Sequence, residues 1–268
     1  FAVMEVSTRP SLVIRRHRFE LSSLDELRAL DVFDADVQAL LTAMVRARRN
    51  VVVAGGTGSG KTTLLRALLN EVPPTERIVT IEDAYELGLE HFAEKHPDYD
   101  ALQSRSANIE GEGEVTLADL TRMALRMDPD RVIVGEVRGA EAFPMLMAMS
   151  QGNNGSMCTM HADGTRSVFP KLAAYVSMAS TGLPVETVNV LVSSALHFVI
   201  FIENVDGRRR IASIREVVDT DGNNIVSNEI LTRVAGGQTQ WPFPIRSGTR
   251  ELLEQHGFGR PVMARSTR

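Results

Sequence analysis

The sequence predicts an α/β fold: a mostly parallel sheet covered by helices on both faces. Three observations carry this. Residues 51–54 (Val-Val-Val-Ala), 78–81 and 132–134 are short, unbroken apolar runs, as strands buried on both faces require. Segments of helical spacing separate them, and strands alternating with helices pair in parallel. At 268 residues, the chain is long enough to bury a layered core.

Residues 1–20 alternate loosely (Val3, Val6, Leu12, Ile14) toward a basic end at Arg15, Arg16 and Arg18, and read as short strands. Ser23 with Glu26 has capping-box spacing and opens a helix carrying Leu24, Leu27 and Leu30. A second helix starts at Asp34 and puts Val37, Leu40, Leu41, Met44 and Val45 on one face. The strand at 51–54 leads through a glycine-rich loop into a helix over 62–70. Beyond about 193 the texture shifts to strands at 197–202 and 211–218, with turns near Asp206-Gly207 and at 221–224. That reads as an antiparallel meander appended to the sheet. Residues 235–268 hold Gly, Pro and Arg with little periodicity, so a loosely packed tail is expected.

Composition excludes several classes. With 43% hydrophobic and 24% charged residues, 20 Gly and 11 Pro, the chain is not mostly disordered, collagen-like or a coiled coil. A single cysteine, Cys158, excludes a disulfide framework and a cysteine-based zinc site, and fits a reducing, cytosolic setting. No apolar run approaches the ~18–20 residues of a spanning helix, and no signal-peptide pattern is present. The net charge of −5 argues against a dedicated nucleic-acid binder. Residues 82–114 hold ten acids against two bases, Lys95 and Arg105. This segment reads as a solvated acidic insertion. Its net charge of −8 against −5 for the whole leaves the remainder slightly basic. His91-x-x-Glu94-x-His96 has the wrong spacing for two ligands on one helical face, so no zinc is expected.

The strongest motif is Gly55-Gly56-Thr57-Gly58-Ser59-Gly60-Lys61-Thr62-Thr63. Gly55, Gly60, Lys61 and Thr62 satisfy G-x-x-x-x-G-K-[ST] between a buried strand and a helix. Glycines let backbone N–H groups converge on phosphate oxygens, and the helix N-terminus adds its positive end. Lys61 supplies charge for the outer phosphates, and the Thr62 hydroxyl can ligate Mg²⁺. Gly56, Thr57, Gly58, Ser59, Gly60, Lys61, Thr62 and Thr63 are therefore the expected nucleotide-binding residues. A dinucleotide fingerprint fails, because it would need Gly where Lys61 stands.

Hydrolysis also needs carboxylates to organise Mg²⁺ and water. Glu82 and Asp83 end one strand, and Glu136 ends another after Gly135. Ligands of open parallel sheets bind beyond those strand ends. The alternative for each is an ordinary strand-end acid or helix cap. His161 follows a further apolar stretch and is either a γ-phosphate sensor or structural. Arg105 is a single arginine in the acidic insertion, and loop arginines can neutralise phosphoryl charge.

Taken together, these segments resemble the type II/type IV secretion ATPase superfamily, most of all the Tad-pilus-type ATPases. The resemblance rests on residues 50–65, the aspartate box at 78–87, residues 102–113 with Asn108-Ile-Glu-Gly-Glu-Gly113, residues 125–139 and the histidine box at 155–162. It implies a RecA-like P-loop domain at 46–232, preceded at 1–45 by linker helices and the end of an N-terminal domain. It also implies a homo-hexameric ring that hydrolyses ATP with Mg²⁺, peripheral at the inner face of the cell membrane against platform proteins of a pilus or secretion machine. By position, Glu136 would polarise water, Glu82 and Asp83 would support metal and water, and His161 would contact the γ-phosphate. Arg105, Arg122 and Arg126 match family arginines, some of which act as fingers or at interfaces. Asn153, Asp163, Asp128 and Ala118 depart from residues common in the family. Phe1 in first place reads as a trimmed fragment, one complete ATPase domain with a stump of a second. Two other readings stay open: an ATP-binding assembly or regulatory module with negligible hydrolysis, and a small-molecule phosphotransferase.

Overall fold

A computed structural model describes residues 23–234 and 237–259, together with 2, 3, 8, 9, 11, 12 and 14. Strands β1 (Ala2–Val3) and β2 (Ser11–Leu12) pair antiparallel. The rest of the strands expected over 1–20 lies outside the described residues.

Helix α1 (Leu24–Ala29) opens on the Ser23/Glu26 capping box, and α2 (Ala35–Arg46) on Asp34, whose side chain accepts from the Val37 N–H. Each cap satisfies a donor that the first helical turn leaves orphaned. Next come β3 (Val51–Gly55), α3 (Lys61–Leu69), β4 (Ile78–Glu82), a 3₁₀ turn (Leu89–Phe92) and β5 (Tyr99–Gln103). The chain continues through α4 (Leu117–Ala124), β6 (Arg131–Val137), α5 (Ala142–Ser150), β7 (Met157–His161), α6 (Val168–Met178) and α7 (Val185–Ala195). It ends with β8 (Phe198–Val205), β9 (Arg208–Thr220), β10 (Ile225–Arg233), β11 (Thr239–Gln240) and α8 (Ser247–Gln255).

The strands form one sheet in the order β11-β10-β9-β8-β3-β7-β6-β4-β5. From β8 to β5 every pairing is parallel, and β9, β10 and β11 add antiparallel. The two faces divide residue by residue. Val51 and Val53 pack with Leu40, Leu64 and Leu68 of α2 and α3, while Val52 and Ala54 pack with Met145, Leu172 and Val192 of α5, α6 and α7. This is the period of two expected of a strand covered on both sides. Each fully buried leucine stabilises the fold by about 2 kcal/mol.

Asn50, fully buried, aligns the strands at the far end of the sheet. Its Nδ2 donates to the carbonyls of Met149 (2.8 Å) and Ala195 (2.6 Å), and its Oδ1 accepts from the N–H groups of Gly155 (2.8 Å) and Ser156 (3.1 Å). These bonds tie the approaches to β3, β7 and β8 to one amide, so the opposite ends of those strands converge in fixed register.

Two expectations need correction. Residues 82–114 are not wholly a surface insertion: β5 lies within them as the edge strand, paired in parallel with β4. Arg77 reaches both Asp98 and Asp100 at its start, so acids that suggested solvent serve as strand anchors. The described part of the tail is packed rather than loose. Trp241, Ile245, Leu253 and Phe258 join the core on the α2–α3 side. Arg246 donates to buried Glu216 from its backbone N–H at 3.0 Å and from Nε at 3.2 Å. Within the tail, α8 buries Thr249 and Leu253 one turn apart, a helix not expected from the sequence.

Candidate nucleotide site

Buried β3 delivers the chain to Gly55, and the loop that follows turns into α3. Gly60 closes the turn at φ +99°, a left-handed conformation that disfavours side chains with a Cβ. No side chain caps α3. Its first-turn N–H donors and the positive end of its dipole therefore remain available to an anion.

A cleft of about 370 Å³ opens there. Thr57, Gly58, Gly60, Lys61, Thr62 and Thr63 line it from the loop. Glu82, Asp83, Glu86, Gly135, Glu136, Arg138, Thr159, His161 and Arg209 line it from elsewhere. Gly56 and Ser59 act from behind. The Gly56 carbonyl accepts from Lys61 Nζ at 2.9 Å, and the Ser59 hydroxyl is buried without a hydrogen-bond partner.

Lys61, only 7% exposed, also lies 3.4 Å from Nδ1 of His161. His161 Nε2 lies 3.0 Å from Glu136 Oε1. An ammonium can only donate, so Nδ1 accepts and the ring carries its proton on Nε2, directed at Glu136. The three residues form a polar chain from the loop at the end of β3 to the ends of β7 and β6. Two bonds hold that geometry: Thr159 Oγ1 donates to the Gly135 carbonyl at 2.6 Å, and Lys171 Nζ donates to the His161 carbonyl at 2.9 Å.

Glu82 is buried at 3% exposure, and its Oε1 accepts from the N–H groups of Glu86 and Leu87, both at 2.9 Å. Burial raises its pKa, and the two backbone bonds oppose that shift. Gly135 makes room for it, since a Cβ there would stand 3.0 Å from Glu82 Cγ. Asp83 is engaged by protein at both oxygens, accepting from Ser104 Oγ at 2.8 Å and pairing with Arg138. Thr62 Oγ1 lies 3.4 Å from Glu86 Oε2, so Glu86 is a further carboxylate beside the Thr62 hydroxyl.

Among the described residues, no three His, Cys, Asp or Glu side chains cluster to hold a metal by themselves. The donor set suits Mg²⁺ bound chiefly through phosphates and water, with the Thr62 hydroxyl as protein ligand. Cys158 is fully buried, and burial pushes its thiol pKa up, which suits packing rather than chemistry.

The three expected arginines stand apart. Arg105 bridges to Val115 and donates from Nε to the Gly113 carbonyl at 2.7 Å, Arg122 pairs with Asp119 at 3.1 Å, and Arg126 is exposed. None lines the cleft. Two arginines that sequence reasoning did not assign to the site do line it. Arg138 stood within a recognised motif. Arg209 carried no local signal, lying in a hairpin far along the chain.

The sequence profile of the type II/IV secretion system protein family matches residues 1–234. The chain belongs to that family. A Mycobacterium tuberculosis protein whose name places it in conjugal transfer is 40% identical over 212 residues, 79% of this chain and 58% of that protein. The type IV secretion system protein PtlH of Bordetella pertussis is 39% identical, over 65% of this chain and 52% of its own length. The crystal structure of the VirB11 ATPase from the Brucella suis type IV secretion system superposes with a TM-score of 0.60 at 33% identity, covering 79% of this chain and 62% of that one. The chain thus spans somewhat more than half the length of these curated relatives. Its α/β fold with a mostly parallel sheet is that of the secretion ATPases. Among the described residues, no helix is long and apolar enough to cross a membrane.

Proposed function

We propose that this chain is the ATP-hydrolysing motor domain of a type IV secretion or Tad-like pilus-assembly machine, working as a hexameric ring at the inner face of the cell membrane. One observation carries the reading: Lys61, His161 and Glu136 form a continuous polar chain at the uncapped start of α3. The α3 N–H groups and Lys61 hold the phosphates, and the Thr62 hydroxyl would hold Mg²⁺, which would supply charge that offsets that of the phosphates. Glu136 orients and accepts a proton from the attacking water. His161 fixes the Glu136 carboxylate through its single N–H. Glu82 acts as a positioning residue for the 82–87 turn, which carries Asp83 and Glu86 to the rim. Arg105, Arg122 and Arg126 lie outside the cleft of their own chain, which favours a role in a neighbouring subunit's site.

Turnover per chain, measured against protein concentration alongside light-scattering mass, tests this. A Mg²⁺-dependent rate that climbs as the ring assembles is expected. Nucleotide-bound rings with no turnover would instead support the binding-module reading.

A further inference from the structure

The β8–β9 hairpin is built against the phosphate loop. The carbonyl of Ile202 on β8 comes so close that a Cβ on Gly55 would lie 2.3 Å from it. On β9, the stem of Arg209 rests on Gly60, where a Cβ would lie 2.8 Å from Arg209 Cδ. Gly60 thus serves twice, as the left-handed turn into α3 and as the seat of an arginine about 150 residues away along the chain.

Arg209 does not reach the cleft by default. Strand alternation separates it from its neighbours in the Arg208-Arg209-Arg210 run, and Arg210 turns to Asp31 at 3.5 Å. Arg209 faces the loop, with Nε donating to the Gly58 carbonyl at 3.3 Å, and it lines the cleft. Its cross-strand partner is uncharged Asn204. Among the described residues no carboxylate pairs with it, whereas Arg138 is taken by Asp83. A guanidinium has five N–H donors in a rigid fork, and the Gly58 bond uses one.

The charges around the cleft sharpen the point. Lys61, Arg138 and Arg209 face Glu82, Asp83, Glu86 and Glu136, three cations against four carboxylates. At such a lining, a triphosphate gains most from a cation that the protein's own carboxylates do not neutralise.

We infer that Arg209 is a nucleotide-binding residue supplied by the chain's own appended hairpin: its terminal nitrogens donate to phosphate oxygens of bound nucleoside triphosphate while its stem stays seated on Gly60. The inference rests on the nucleotide-binding reading above. It also gives the antiparallel extension a direct link to nucleotide occupancy, because Arg209 is part of the β9 strand.

The test compares wild type with Arg209→Gln, which keeps much of the stem and loses the charge, and Arg209→Lys, which keeps the charge and loses the fork. The readouts are fluorescence titration with N-methylanthraniloyl-ATP and melting temperature without nucleotide. Arg209→Gln is expected to weaken binding roughly tenfold or more, Arg209→Lys to fall between, and the nucleotide-free melting temperatures to coincide. The deficit should shrink as salt is raised. Unchanged affinity in Arg209→Gln would overturn the inference. So would equal losses in both variants with lowered melting temperatures, which would make Arg209 a brace for the hairpin. A wild-type chain that binds no nucleotide would instead defeat the underlying reading, and the inference with it.

Discussion

The Nε2 of His161 lies 3.0 Å from Oε1 of Glu136, joining the ends of two neighbouring strands on the side of the sheet where the phosphate loop turns. Since Lys61 fixes the other ring nitrogen as an acceptor, the imidazole can hold the carboxylate without taking its place as base. His161→Ala is therefore expected to lower turnover by about 10- to 100-fold while nucleotide affinity changes little. Steady-state kinetics beside equilibrium binding checks this. A loss confined to affinity would argue against the arrangement.

Gly135 offers a test of packing. Gly135→Ala drives a methyl to 3.0 Å from Glu82 Cγ, and Glu82 is held by two backbone bonds. The expected destabilisation is about 1–3 kcal/mol, read as a lower denaturant midpoint. A double-mutant cycle with Glu82→Ala should show coupling above ~0.5 kcal/mol. Additive effects would mean that the two side chains are not in contact.

Acid should weaken the fold partly through His197. Burial first, then Arg49 and Arg246, push its pKa down from 6.5 to about 4, and its Nδ1 accepts from the Asn50 N–H at 2.9 Å. The unfolded chain binds the proton near pH 6.5 and the folded chain only near pH 4. This contribution is therefore complete above about 6.5 and is lost as pH falls through 4, amounting to at most about 3 kcal/mol. Unfolding midpoints between pH 4 and 7 should slope less steeply in His197→Gln than in wild type. Parallel slopes would remove His197 as a source.

Arg105 tests action between subunits. Arg105→Ala is expected to leave single-chain nucleotide affinity unchanged and to cut turnover of the assembled protein by about a hundredfold or more. Mixing it with Glu136→Gln should restore turnover above the sum of the two, because some interfaces then pair an intact arginine with an intact glutamate. A mixture no better than its parts would place Arg105 outside the reaction.

Much of this molecule was legible where one local rule decides the outcome. The Ser23 and Asp34 caps, the doubly buried strand at 51–54 and the loop closed by Gly60 each follow from a few adjacent residues. The parts that were not legible depend on distant partners. Strand β5 hid in an acidic stretch because Asp98 and Asp100 are balanced by Arg77. The segment from Trp241 to Phe258 showed little apolar periodicity because α8 turns only Thr249 and Leu253 inward and Arg246 is held by distant Glu216. Arg209 gave no signal, since its role depends on a hairpin folding back over Gly58 and Gly60. The contacts of Asp83 were equally out of view, since Ser104 and Arg138, which engage its two oxygens, lie 21 and 55 residues along the chain.

The most direct test of the central claim is ATP hydrolysis by Glu136→Gln, measured on assembled protein with Mg²⁺ beside nucleotide affinity. Removing the base while keeping the shape should cut turnover by about 10²–10⁴-fold with affinity preserved. Wild-type turnover in that variant would contradict the account.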